Sequence, residues 1–211
     1  MMTTGNREDY LINILRLTER KPIAKTTELA SFMDVTAASV SEMLNILSKE
    51  GMVRYQKYKG VSLTDEGMAY AKHIRRKHHI MEHFLINILD ADKDTAHEEA
   101  CRIEHVLSDK SAKKMCQITG YSERCDECRD DCIDIGTITL TSMEPMTSGT
   151  ISHLRSVDSS HLRKLISLGL IPGKTIRKDN DLAAGTLMVH VDGFDIAVGE
   201  DITDSVFVDP E

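Results

Sequence analysis

The run His97-Glu98-Glu99-Ala100-Cys101-Arg102-Ile103-Glu104-His105 sets four possible transition-metal ligands on one stripe. Read as one helix at 100° per residue, His97, Cys101, Glu104 and His105 lie within a fan of roughly 100° and share a stripe. His78 and Glu82 repeat an i, i+4 pair earlier in the chain. Imidazole, thiolate and carboxylate together suit Fe(II), Mn(II), Co(II), Ni(II) or Zn(II), whereas Ca(II) and Mg(II) favour oxygen alone. One His or Glu on a polar helix is ordinarily a solvated side chain. Their concentration on one stripe is what points to a metal.

A second group is Cys116, Cys125, Cys128 and Cys132, spaced C-x8-C-x2-C-x3-C. Four thiolates fit tetrahedral Zn(II) or an iron–sulfur cluster, and free or redox-active thiols remain a third reading. The neighbouring Asp126, Glu127, Asp130 and Asp131 would raise the thiol pKa values unless a cation is bound. With Cys101 the cysteines number five, an odd count that argues against a secreted disulfide framework. No apolar run of about 18 residues and no signal-peptide core is present, so the expectation is a cytoplasmic protein without membrane association.

Those residues need a scaffold, and 211 residues at 41% hydrophobic content can bury one. The net charge of −8 looks wrong for a nucleic-acid binder until it is divided along the chain. Residues 1–75 carry 11 Lys+Arg against 9 Asp+Glu, and the acidic excess lies beyond them. A DNA-contacting module therefore belongs at the N-terminus.

The pattern there is helix, helix, helix, hairpin. Leu11, Ile12, Ile14, Leu15 and Leu17 make an apolar stripe from about Asp9 to Glu19, broken at Lys21-Pro22. Leu29, Ala30, Phe32 and Met33 mark a short second helix with Thr26 or Thr27 as N-cap. Thr36 caps a third helix bearing Val40, Met43, Leu44 and Leu47, ended by Gly51. Strands Met52–Tyr55 and Val61–Thr64 follow, the order of a winged helix-turn-helix. The third helix is small and hydrogen-bonding at its N-terminal end, which lets it lie deep against base edges. Thr26, Thr36, Ala38, Ser39, Ser41 and Glu42, with Lys57 and Lys59 on the wing, are the candidate contacts to double-stranded DNA.

From Thr64 a long helix carries His73, Ile74, Ile80, Met81, Phe84, Leu85, Ile88 and Leu89. The next, from near Asp94, sets Ala100, Ile103, Val106 and Leu107 opposite the metal stripe. Two helices alone cannot hide this much apolar surface, which implies a homodimer. Beyond a cysteine-rich connector, short strands are expected at 136–138, 143–146, 150–154, 174–178, 186–191, 194–198 and 206–208. They would close as a small β-barrel, interrupted by one helix, Ser159–Leu168. The domains expected are a winged helix-turn-helix (1–65), a helical dimerisation and metal-binding domain (66–118), a linker (119–135) and a β domain (136–211). The fold class is mainly α with a small β domain.

Glu8-Asp9-Tyr10-Leu11, Ala38-Ser39-Val40-Ser41, Arg76-Lys77-His78-His79 and His97 through Asp109 together give the chain a resemblance to the diphtheria toxin repressor family of metal-dependent transcriptional repressors. Leu165-Ile166-Ser167-Leu168-Gly169-Leu170-Ile171-Pro172-Gly173 resembles the SH3-like, ferrous-iron-transport A-type domain. The resemblance implies a first metal site of Asp9, Cys101, Glu104 and His105. It implies a second of His78, Glu82 and His97, completed by Asp158 and His161. Asp9 matches the manganese-type regulators and Cys101 the iron type. The cofactor implied is Fe(II), with Mn(II) second, and the function is repression of metal-uptake or homeostasis genes.

Three other functions compete. An enzyme using Glu98 or Glu99 beside a metal-bound water lacks a Gly-rich phosphate loop, a nucleophile elbow and a pocket-forming α/β pattern. A redox or iron–sulfur sensor would act through the cysteine group. An iron-transport adaptor would act through the C-terminal domain.

Overall fold

The computed structural model describes residues 4–19, 21–120, 136–156, 158–181 and 185–211. The chain packs as two units, Met1–His78 with Cys101–Val106, and His79–Ala100 with Leu107–Glu211.

In the first unit, α1 (Thr4–Thr18) stops short of Pro22, which could not continue it. Its Tyr10, Leu11, Ile14 and Leu15 are buried against Leu29 of α2 (Thr26–Met33) and Val40, Met43, Leu44 and Leu47 of α3 (Ala37–Lys49). The i, i+1, i+4, i+5 spacing on α1 is what presents one face to that core. The turn between α2 and α3 passes through Asp34 at φ 53°. Thr36 then caps α3, its hydroxyl accepting from Ser39 N at 3.1 Å. The cap of α2 differs from expectation: the N-cap is Lys25, and its backbone N donates to the Glu28 carboxylate at 2.8 Å. The acid three positions on accepts from the N-cap backbone N–H, where a threonine hydroxyl accepting from the first turn was expected.

The wing is the antiparallel pair β1 (Val53–Gln56) and β2 (Gly60–Leu63), with Val53 opposite Leu63. A bridge between Ala24 and Val61 ties it to the segment before α2. Gly60, at φ 123°, lies so near that segment that a Cβ would stand 2.4 Å from Ala24 O, so only glycine fits. Thr64 ends the hairpin and starts α4 (Asp65–Leu89), accepting from Gly67 N at 3.0 Å.

The second unit takes α4 from His79 onward, α5 (Lys93–Ile103) as far as Ala100, α6 (Asp109–Thr119) and a six-stranded antiparallel sheet. Its strands are β3 (Ile138–Thr139), β4 (Ser148–Leu154), β5 (Thr175–Asp181), β6 (Thr186–Val191), β7 (Phe194–Gly199) and β8 (Val206–Pro210), in the order β3-β8-β4-β5-β6-β7. Asp192 and Gly193, both at positive φ, turn β6 into β7. Helix α7 (Ser159–Ser167) buries Leu162 and Leu165 against Ile151, Leu154, Ile176 and Val189.

Four expectations are corrected. Residues 143–146 are not a strand: they run through a bend and a turn, Met143 is buried, and Met146 sits at φ 62°, in the left-handed region. A second helix, α8 (Glu200–Thr203), joins α7 in the β domain. Among the described residues β3 and β7 stand at opposite ends of the sheet order and are not paired, so the strands do not close as a barrel. Helix α5 ends at Ile103, leaving Glu104, His105 and Val106 in a turn closed by Val106 N to Ile103 O at 2.9 Å. The single helical stripe from His97 to His105 is therefore broken, and Val106, expected on the apolar side, is 81% exposed. The chain must bend here for Leu107 to be buried and Ser108 to cap α6.

Candidate functional site

The break after Ile103 gathers donor atoms. Within the first unit, one ligand atom each from Asp9, Glu104 and His105 lies within 4.8 Å of the others. His105 Nε2 is 3.0 Å from Asp9 Oδ1 and 3.5 Å from Glu104 Oε1. The opposite ring nitrogen, Nδ1, lies 2.6 Å from Glu8 Oε2. Glu8 and Asp9 are neighbours on α1, so one turn of helix addresses both nitrogens of the ring.

Tyr70, on α4, donates its hydroxyl to Glu8 Oε1 at 2.6 Å. That hydrogen bond, with burial and the charge of Glu8, pushes the Tyr70 phenol up to about 12. Burial lifts the Asp9 carboxyl above its ordinary range, and the charges of Glu104 and Glu8 add to the lift while His105 opposes it. Three carboxylates crowd one imidazole. A divalent cation is the partner that this excess of negative charge fits. Two oxygens and one nitrogen suit Mn(II) and Fe(II).

Cys101, expected in the same set, lies outside that trio, with Sγ 3.8 Å from His78 Nδ1. His78 is buried and its Nδ1 is 2.7 Å from Glu104 Oε2, so the two oxygens of Glu104 face two different imidazoles. In the second unit, Glu82 and His97 pair at 3.4 Å. Asp158 caps α7, accepting from His161 N at 2.8 Å, and His161 Nε2 lies 2.9 Å from Ser205 Oγ. Cys116 is fully buried on α6. Cys125, Cys128 and Cys132 lie outside the described residues. Glu8 and Tyr70 were not singled out from the sequence. An acid directly before Asp9 was the available signal for Glu8, and Tyr70 had none.

A second candidate surface joins α2, α3 and the wing. A cleft of about 340 Å³ is lined by Lys25, Thr26, Ala37, Ser41, Tyr55 and Lys59, among others. Ala38, Glu42, Lys57 and Lys59 are exposed, and Ser39 is partly so. Thr36 and Ser39 share their hydroxyls at 2.9 Å, and Ser41 donates to Ala37 O at 2.8 Å. Tyr58, at the wing tip with φ 70°, is 93% exposed beneath the Lys57 ammonium, 5.3 Å from its ring centre. Lys25 and Tyr55 line the cleft without having been expected there.

A winged helix-turn-helix, a cluster of metal donors and a separate antiparallel sheet define a metal-responsive DNA-binding regulator. Residues 2–61 match the family model "Iron dependent repressor, N-terminal DNA binding domain", and residues 64–132 match "Iron dependent repressor, metal binding and dimerisation domain". Residues 138–210 match the FeoA domain, consistent with an SH3-like fold. The chain belongs to the diphtheria toxin repressor family of metal-dependent transcriptional repressors.

An HTH-type transcriptional regulator of Methanocaldococcus jannaschii is 40% identical over 109 residues, covering 51% of this chain and 87% of its own. The crystal structure of IdeR from T. acidophilum is 26% identical, covers 100% of this chain and 99% of its own, and superimposes with a TM-score of 0.51. The manganese regulator SloR is 27% identical over 99% of this chain and 100% of its own, with a TM-score of 0.52. Among the described residues no helix is long and apolar enough to cross a membrane.

Proposed function

We propose that this chain is a dimeric, cytoplasmic repressor of metal-uptake or homeostasis genes, answering to Fe(II) ahead of Mn(II), with Asp9, Glu104 and His105 at the centre of its sensing site. The observation that carries this is His105 Nε2 facing Asp9 and Glu104 carboxylate oxygens at 3.0 and 3.5 Å. A bound divalent ion supplies positive charge that offsets the repulsion between these carboxylates.

Asp9 belongs to α1, whose Tyr10, Leu11, Ile14 and Leu15 share a core with Leu44 and Leu47 of α3. Glu104 and His105 belong to the turn after α5. When their side chains and Asp9 engage together, α1 is held to that turn, and α3 follows because core packing does not yield freely. In a dimer the separation of two α3 helices must match one turn of duplex, roughly 34 Å between half-sites. Asp9, Glu104 and His105 thereby couple metal to DNA, and each ligand raises affinity for the other by the same factor. The exposed N-terminal end of α3 would address base edges, and Lys57 and Lys59 would address phosphates.

The thiol at Cys101 favours iron as the physiological metal, because softer donors favour later metals over Mn(II). Gel-shift titration with Fe(II), held anaerobically, and with Mn(II) tests the proposal. Asp9→Ala and His105→Ala are expected to abolish the metal-dependent shift while keeping native helicity. A normal shift by both at limiting metal rejects it.

A further inference from the structure

Glu8 is 5% exposed, and a buried carboxylate needs strong partners for both oxygens. It has them: Tyr70 Oη at 2.6 Å on Oε1, and His105 Nδ1 at 2.6 Å on Oε2. His105 lies in the turn after α5, beyond the last helical residue Ile103. Glu8 grips the nitrogen that faces away from Asp9 and Glu104. A ring so gripped carries its proton on Nδ1 and turns the Nε2 lone pair toward the two carboxylates.

We propose that Glu8 is a positioning residue of the metal site: it fixes the tautomer and orientation of His105 so that Nε2 is the coordinating atom, and Tyr70 holds Glu8 in place from α4. This rests on the reading of Asp9, Glu104 and His105 as metal ligands. The carboxylate acts through the imidazole and does not itself touch the ion, an arrangement that raises ligand basicity and fixes ring direction. Tyr70 extends the line from the donor cluster to α4. Glu8 and Tyr70 also face a small cavity of about 160 Å³ lined by Leu47 of α3. The positioning contacts thus stand beside the C-terminal end of the helix that the DNA reading depends on.

The test uses the full chain. With Zn(II) as a diamagnetic probe, nitrogen-15 spectra of histidine-labelled protein are expected to show His105 bearing its proton on Nδ1 and metal on Nε2. Attachment of Zn(II) through Nδ1 overturns the proposal without any variant being made. Mn(II) affinity is then compared, by competition with a chelating dye, across wild type, Glu8→Gln, Glu8→Ala and Tyr70→Phe. Glu8→Ala is expected to bind roughly 10–100-fold more weakly. Glu8→Gln keeps an accepting oxygen and is expected to recover much of that loss, which a direct ligand would not allow. Tyr70→Phe is expected to lose roughly 2–5-fold.

Affinity of Glu8→Ala within twofold of wild type, or Glu8→Gln as weak as Glu8→Ala, overturns it. Asp9→Ala and His105→Ala are run alongside. If those two bind Mn(II) normally, the underlying metal-site reading has failed. If they lose Mn(II) and Glu8→Ala does not, only the positioning role has failed.

Discussion

Glu104 Oε2 lies 2.7 Å from His78 Nδ1, and both side chains are almost wholly buried. The other oxygen, Oε1, faces His105. One carboxylate therefore bridges two imidazoles in a largely dry setting, and its removal takes an anionic partner from both at once. Glu104→Ala is expected to destabilise the metal-free protein by about 2–4 kcal/mol and to remove metal binding. Urea denaturation in the presence of a chelator measures the first, and a loss under about 0.5 kcal/mol would contradict the buried pairing.

Asp9 gives a pH dependence of definite sign. Its carboxyl is raised by burial first and by Glu104 and Glu8 as well, with His105 opposing. An acid that holds its proton more tightly when folded favours the fold at low pH, and that contribution is lost as pH rises through its folded pKa. Metal-free Asp9→Asn is expected to melt slightly above wild type near neutral pH and level with it well below the ordinary carboxylate range. The gain should not exceed a few tenths of a kcal/mol, because Asp9 is half exposed. A clearly lower melting point near neutral pH would refute the sign.

The wing lysines should act without sequence preference. Lys57→Ala and Lys59→Ala are each expected to weaken operator and random duplex alike and to flatten the log affinity against log salt slope by about 0.9. Fluorescence anisotropy across a salt series reads this directly. An unchanged slope in both variants removes the wing from the interface.

Cys101 separates iron from manganese. Its sulfur is 3.8 Å from His78 Nδ1, close to the donor atoms yet outside the oxygen and nitrogen trio. Cys101→Ser is expected to lower the ratio of Fe(II) to Mn(II) affinity severalfold while leaving Mn(II) binding intact. An unaltered ratio would remove the thiol from metal selection.

Gly67 tests how closely the wing and α4 meet. A Cβ there would stand 1.9 Å from Met52 O, a backbone atom that cannot rotate away. Gly67→Ala is expected to cost about 3 kcal/mol or more, seen as a lower denaturation midpoint. A midpoint matching wild type would mean the two segments are not packed so tightly.

The order of helices and wing strands was legible because each follows from local chemistry. Apolar residues at helical spacing made α1 and α3, and Thr36 capped where a short polar side chain precedes an apolar run. The strands at 186–191 and 194–198 were legible for the same reason, an alternating pattern around Asp192-Gly193. Residues 143–146 misled because Met143 and Met146 look like strand residues, while Met146 takes a left-handed backbone and its N–H bonds Lys178 O, far along the chain. The cap of α2 was misplaced because the Glu28 carboxylate, by accepting from the Lys25 backbone N–H, ties down the helix start that a threonine hydroxyl was expected to cap.

By itself the sequence determined which donor types this protein has and which local elements carry them, since ligand chemistry and helical period are properties of nearby residues. Only the tertiary structure decided which donors meet. Periodicity continued one stripe through His105, but burial of Leu107 and the cap at Ser108 bend the chain after Ile103. That bend carries Glu104 and His105 to Glu8 and Asp9, almost a hundred residues away, and Tyr70 arrives from a third helix. Contacts between groups so distant in the chain are settled by the packing of whole elements, which no local spacing records.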